Sequence, residues 1–324
     1  MHSIEFYRNE FIAYQEKVLL PVMPTNLYDP MIYIMGLGGK RLRPVLTLIA
    51  TEIFGESYKK GLHAALAIEV FHNFSLVHDD IMDGAPLRRG KKTVHEKWNI
   101  NTGILSGDVM LIKAYQFLEA YDTVLFKDLV ALFSETAVAV CEGQQYDIEF
   151  ETRTDVTVAQ YLKMIAYKTS VLLGAALKMG ALIAGASVKD QQTIYNFGEN
   201  LGIAFQLQDD YLDAYGDPQT FGKQVGGDII ANKKTFLYLQ AMAMGNSAQK
   251  QELAHLFSKG SNDNTTKIQA VKSLYTATGA SKRIRAEMKS YTDKAFQLLE
   301  LLDIDLEKKQ LLQRIGESLV QRNV

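Results

Sequence analysis

Six stretches of this sequence repeat apolar residues every three or four positions: Leu62–Asp83, Thr102–Tyr121, Leu129–Phe150, Val156–Ala184, Gln191–Tyr215 and Ser281–Leu302. That spacing lays one apolar stripe along a helix. Proline breaks a helix interior because it lacks an amide donor. It occurs only 6 times in 324 residues, mostly at segment edges. Period-two alternation between turn residues is scarce, so strands explain little of the chain. Gly55, Gly185 and Gly245 lie where helices should end. No low-complexity segment or linker interrupts the pattern. It predicts one all-α domain over residues 1–324, with ten or more helices packed round a common centre.

Composition removes several function classes. Hydrophobic residues at 47% and charged residues at 22% supply a sizeable core. Lys+Arg number 35 against 37 Asp+Glu, so no basic field points to nucleic acid. No run approaches the ~20 apolar residues of a membrane span. Met1–Leu20 carries Glu5, Glu10 and Glu16 and lacks the order of a secretory signal. The single cysteine, Cys141, cannot form an intramolecular disulfide or supply a Cys-based metal site, which suits a reducing, cytoplasmic setting.

Two helices end in similar acidic clusters: Asp79-Asp80-Ile81-Met82-Asp83 and, about 130 residues later, Asp209-Asp210-Tyr211-Leu212-Asp213. Within each, three- and four-residue spacing lets all three carboxylates reach one patch. They repel one another, and the helix dipole disfavours anions at a C-terminus. A cation relieves both penalties. Carboxylate oxygens without His or Cys suit a hard ion such as Mg²⁺, which completes its shell with water and phosphate oxygens. Either cluster alone could be a solvated helix end; two in long apolar helices suggest two halves facing one site.

Cations accompany both clusters. Gly38-Gly39-Lys40-Arg41-Leu42-Arg43-Pro44 opens a helix, Arg88-Arg89-Gly90-Lys91-Lys92 follows the first cluster, and Lys223, Lys233 and Lys234 follow the second. Lys168-Thr169 lies inside an apolar helix, where an unpaired lysine is costly. Arg grips phosphate with a fork and Lys as a point charge. Alternation with carboxylate triads would repel a nucleic-acid backbone, so small diphosphates bridged by metal fit better.

These residues resemble the trans-isoprenyl diphosphate synthases. The likeness runs from about Gly38 to Leu237 and rests on Gly38–Pro44, on Asp79–Asp83 with Arg88-Arg89, and on Gly202-Ile203-Ala204-Phe205-Gln206 leading into Asp209–Asp213. The resemblance implies the isoprenoid synthase fold with a deep central cavity, probed by allylic and isopentenyl diphosphates, and a homodimer. It implies that Asp79, Asp83 and Asp209 hold three Mg²⁺ ions on an allylic diphosphate, with Asp80, Asp210 and Asp213 in the metal-binding clusters. Arg88, Lys168, Gln206, Lys223 and Lys233 would line that diphosphate, with Lys168, Thr169, Gln206 and Arg88 in catalysis. Isopentenyl diphosphate would be held by Lys40, Arg43, His72 and Arg89. His72 could instead be a satisfied core histidine. Gln144 and Asp147 also match the family pattern, but could be plain helix surface.

Product length should be set along the first acidic helix. Ser75 is one turn before Asp79, about 6 Å deeper, and Phe71 about 12 Å deeper. Phe74 beside a small Ser75 resembles short-chain geranylgeranyl synthases, with Phe74 or Phe71 as the floor; residues Val109 to Phe117 are the alternative floor. A farnesyl product stays open. Other classes that fit the motifs are a terpene cyclase, disfavoured by Lys40, Arg43 and Arg89, and a non-catalytic helical partner subunit, disfavoured because both Asp motifs are whole.

Overall fold

The computed structural model describes residues 1–217, 225–258 and 263–320. The all-α expectation holds. Along the chain come α1 (Ile4–Val18), α2 (Thr25–Gly36), α3 (Leu42–Ile53), α4 (Leu62–Met82), α5 (Val94–Lys97) and α6 (Ile100–Leu118). Then follow α7 (Thr123–Thr152), α8 (Val158–Ile165), α9 (Val171–Ile183) and α10 (Val188–Tyr215). The C-terminal part holds α11 (Gly227–Ile230), α12 (Phe236–Met244), α13 (Ser247–Ser258), α14 (Asn264–Ala277), α15 (Ala280–Glu300) and α16 (Leu306–Val320). Two features escape the helical periodicity. A two-stranded hairpin, β1 (Leu87–Arg88) with β2 (Lys91–Lys92), follows α4. A π turn at Ala166–Ser170 interrupts the expected Val156–Ala184 helix between α8 and α9.

The helices form two compact units, residues 1–135 with 175–192 and residues 136–174 with 193–324. In the first, α4 is buried on nearly every side from Ala64 to Phe74, as befits a core helix. It packs on α6 through two glycines. A Cβ at Gly107 would lie 2.2 Å from Nε2 of His78, and one at Gly103 2.8 Å from Ile81. This close approach seats the acidic end of α4. In the second unit, Phe150, Tyr161, Leu207, Tyr211, Phe236 and Tyr275 belong to one buried cluster. The start of α8 is fixed by a capping box, in which Thr157 and Gln160 satisfy each other's amides.

Val158–Ile183, which spans the π turn, is long and apolar enough to cross a membrane, contrary to the sequence expectation. Its best window is 72% buried within the structure, the mark of a core helix, and it carries Lys168 near its middle.

Candidate active site

In the first unit the last turn of α4 presents Asp79, Asp80 and Asp83 in different settings. Asp83 is exposed and Asp79 half-buried. Asp80 is 1% exposed, and both its oxygens accept from Arg88, at 2.6 to 2.9 Å. Burial opposes the Arg88 charge, but its bonds to Asp80 and the nearby Asp79 and Asp83 hold its pKa above the usual value. Asp80 is therefore the anchor of the cluster, and its carboxylate is already engaged.

The β1–β2 hairpin aims the next cation. Its turn places Arg89 and Gly90 at φ 52° and 72°, and an arginine in that left-handed region is strained. Its guanidinium donates to Gly38 O at 2.5 Å and lies on Gly39, where a Cβ would be 3.0 Å from Cζ. Gly39 sits at φ 118°, so its lack of a side chain serves both conformation and contact. Arg41, also left-handed at φ 50°, turns inward to a buried 2.6 Å ion pair with Glu69. Arg43 Nη1 donates to Nε2 of His72 at 3.2 Å. Burial and the charges of Arg43, Arg89, Arg88 and Arg41 depress the His72 pKa well below the usual value, so its ring is neutral and accepts. Burial depresses Arg43 too, the Glu69 charge opposes this, Arg89 adds repulsion, and the Arg43 Nε is buried without a hydrogen-bond partner. Crowded cations with a spare buried donor call for an anion. Lys40 is exposed on the same Gly-rich loop. His72 thus lies in the basic group rather than in an apolar core.

The second unit encloses a cavity of about 650 Å³. Carboxylates line it from Asp147, Asp209, Asp210, Asp213 and Asp228; Lys168, Lys233, Thr169, Gln206 and Asn232 line it as well. Lys168 donates to Asp147 at 2.6 Å, so Asp147 is more than helix surface. The π turn bears both Lys168 and Thr169, and single π turns inside α-helices are frequent at functional sites. Two glycines admit it: a Cβ at Gly143 would lie 2.2 Å from the Lys168 amide nitrogen, and one at Gly202 2.7 Å from Ser170 Cβ.

The second acidic cluster is held differently from the first. Asp210 is 8% exposed and accepts from the Tyr161 hydroxyl at 2.6 Å and from the Phe236 amide that opens α12. Burial, then the charge of Asp228, lifts its pKa well above the carboxylate range. Burial, then the Asp210 charge, lifts Tyr161 well above the usual phenol value. Asp213 organises the return of the chain: its Oδ2 accepts from Asp228 N at 3.1 Å, and its carbonyl from Gly226 N at 2.6 Å.

Of the lysines expected here, Lys233 and Lys234 line the cavity, and Lys223 lies outside the described residues. Lys234 spends its ammonium on the carbonyls of Phe150, Glu151 and Arg153 at the end of α7, a favourable place for a cation. Asn232, at φ 57°, accepts from buried Lys267 at 2.5 Å. Sequence reasoning missed Tyr161, Asn232 and Lys267. Tyr161 is 49 residues from Asp210, and no local spacing connects them. An asparagine between two turn signals and the Lys233-Lys234 pair was the one available hint of the left-handed residue.

A predominantly helical chain with two acidic helix ends, each attended by cations suited to diphosphate, fits a prenyltransferase. The polyprenyl synthetase family model matches residues 24–275, and the chain belongs to that family. It is 37% identical over 307 residues to a geranylgeranyl diphosphate synthase of Methanosarcina mazei, covering 94% of this chain and 92% of the relative. It is 33% identical to a geranylfarnesyl diphosphate synthase of Natronomonas pharaonis, covering 98% and 96%. A crystal structure of a geranylgeranyl pyrophosphate synthase is similar along all of both chains, with a TM-score of 0.96 and 50% identity.

Proposed function

We propose that the chain condenses isopentenyl diphosphate with an allylic diphosphate to give a short trans-prenyl diphosphate, geranylgeranyl diphosphate in preference to farnesyl. The observation that carries this reading is the presence of two chemically different anion sites. One set, Arg43, His72 and Arg89, is a basic group that includes the buried, unpartnered Nε of Arg43. The other, in the second unit, mixes carboxylates with Lys168 and Lys233. A cyclase needs no second diphosphate site. One family match spans residues of both units, which supports a single catalytic domain.

No three His, Cys, Asp or Glu side chains among the described residues are gathered as a metal cage. The donors nonetheless fit Mg²⁺: the cavity carboxylates are hard oxygen ligands, and this ion takes few protein ligands beside water and phosphate oxygens. In the first unit Asp79 and Asp83 would hold it with Asp80 as anchor, and in the second unit Asp209 and Asp213 would hold it with Asp210 as anchor. Mg²⁺, when bound, neutralises charge on the departing diphosphate.

In the second unit Lys168 and Lys233 bind allylic diphosphate oxygens. The allylic C–O bond breaks and its electron pair leaves with diphosphate. The Thr169 hydroxyl and the Gln206 side-chain carbonyl turn their dipoles toward the allylic cation. Lys40, Arg43, His72 and Arg89 hold isopentenyl diphosphate, whose double bond attacks the cation. Released diphosphate takes the proton lost from the isopentenyl unit, so no side-chain nucleophile is required.

Phe71 and Phe74 support a short product. Phe74 is 9% exposed, Phe71 is 1% exposed behind it, and their ring centroids are 5.6 Å apart. Ser75 is small, and its hydroxyl is satisfied by His72 O at 2.8 Å. Purified protein given Mg²⁺, isopentenyl diphosphate and each of dimethylallyl, geranyl and farnesyl diphosphate should stop at the geranylgeranyl product. Product masses after dephosphorylation decide, and diphosphate release without elongation sinks the reading. Phe74→Ser should lengthen the product.

A homodimer is also proposed. On α6, Ile104, Leu105 and Ile112 are exposed apolar residues. Sedimentation should give twice the chain mass, and Leu105→Lys should shift it toward the monomer.

A further inference from the structure

We infer that Tyr161 is a positioning residue for the second acidic cluster, acting through Asp210. The inference rests on the synthase reading above. Asp210 lies in the last two turns of α10, where neighbouring Asp209 and Asp213 repel it and the helix dipole is unfavourable. Its burial adds a desolvation cost. Something must hold this side chain in place, and its hydrogen bonds come from two neutral groups, the Tyr161 hydroxyl and the Phe236 amide.

Tyr161 is built for the task. Its ring is 5% exposed within the apolar cluster of the second unit. Its backbone amide donates to Thr157 O at 3.0 Å, in the first turn of a helix whose start is fixed by the Thr157–Gln160 capping box. A packed ring with two rotatable bonds delivers the hydroxyl to one place. Tyr161 also lines the cavity, so the bond it makes is at the site and not behind it.

The choice of a phenol has a chemical reason. A guanidinium at Asp210, like Arg88 at Asp80, would fix the carboxylate by placing a positive charge beside it. A neutral donor orients Asp210 and adds no competing cation. Tyr161 therefore preorganises the carboxylates without lowering their capacity for Mg²⁺.

The test is calorimetric binding of Mg²⁺ with inorganic pyrophosphate to the full chain, without turnover. Tyr161→Phe should weaken binding about tenfold, the scale of one hydrogen bond to a charged group. Circular dichroism should show an unchanged helical fold. Asp210→Asn should weaken binding too, and adding Tyr161→Phe to it should cause no further loss. Tyr161→His keeps a ring and an N–H donor and should recover part of the loss. Unchanged binding in a folded Tyr161→Phe protein overturns the inference, as do losses that simply add in the double variant. If Tyr161→Phe does not fold, Tyr161→His is compared with wild type in its place, alone and with Asp210→Asn, under the same additivity criterion. A wild-type chain that binds no Mg²⁺–pyrophosphate and elongates no substrate overturns the synthase reading itself.

Discussion

The acidic ends of α4 and α10 are spelled almost alike, as two aspartates, two other residues and a third aspartate, yet the fold supports them by different means. Asp80 is clasped through both oxygens by Arg88 from the following hairpin. Asp210 is held by the hydroxyl of Tyr161 and the first amide of α12. A shared motif thus fixes what an acidic end can bind, while the tertiary neighbours decide how much of its charge remains. The middle aspartate is an anchor in both cases. On the proposed reading the outer ones, Asp79 with Asp83 and Asp209 with Asp213, carry the ligand-binding role.

The sharpest way to break this division is to neutralise the aspartates one at a time. Asp79→Asn and Asp209→Asn should each lower kcat by about 10²–10³-fold, the scale of losing one preorganised electrostatic stabiliser. Asp80→Asn and Asp210→Asn should cost less in kcat and more in urea stability. Equal kcat losses at all four positions would erase the distinction between anchor and ligand.

The two anchors should also differ in strength. Arg88→Met strands a carboxylate that is 1% exposed and should destabilise the chain by about 3–5 kcal/mol. Tyr161→Phe removes a neutral donor and should cost about 1–3 kcal/mol. Urea unfolding without substrate measures both, and a reversed order would contradict the contrast.

The smallest effect concerns pH, and its sign separates the two units. The His72 pKa is depressed in the folded chain, so the unfolded chain binds more protons just below about 6.5. Wild type should lose stability relative to His72→Gln as pH falls through that value, by at most about 1.4 kcal/mol per pH unit. Asp210 is raised, so its contribution is fully present below about 3.8 and is lost as pH rises through its folded value. Parallel pH profiles for wild type and His72→Gln would show that the imidazole is not held neutral.

How much of this was readable in advance follows from distance along the chain. Arg88 stands eight residues after Asp80, so its link to the first cluster was visible as a neighbouring basic run. Helices and their acidic ends were equally local. Tyr161 and Asp147 act on groups 49 and 21 residues away, and only packing brings those pairs together. Left-handed Arg41 and Arg89 defied residue preference for the same reason: contacts at the sites outweigh local strain. Lys234 resembled Lys233 in sequence, and only the end of α7 tells them apart.

The π turn at Ala166–Ser170 bears on how this chain can change over time. Such a turn is equivalent to one residue more than a regular helix would hold. Deleting a single residue there would heal the ladder from α8 into α9 and give a more regular, more stable rod. The residues on either side would keep their faces, because the wide turn had absorbed the extra residue, while Lys168 and Thr169 would lose the placement that turn gives them. On the synthase reading, such a deletion variant should gain stability and lose activity, two opposite effects carried by one residue.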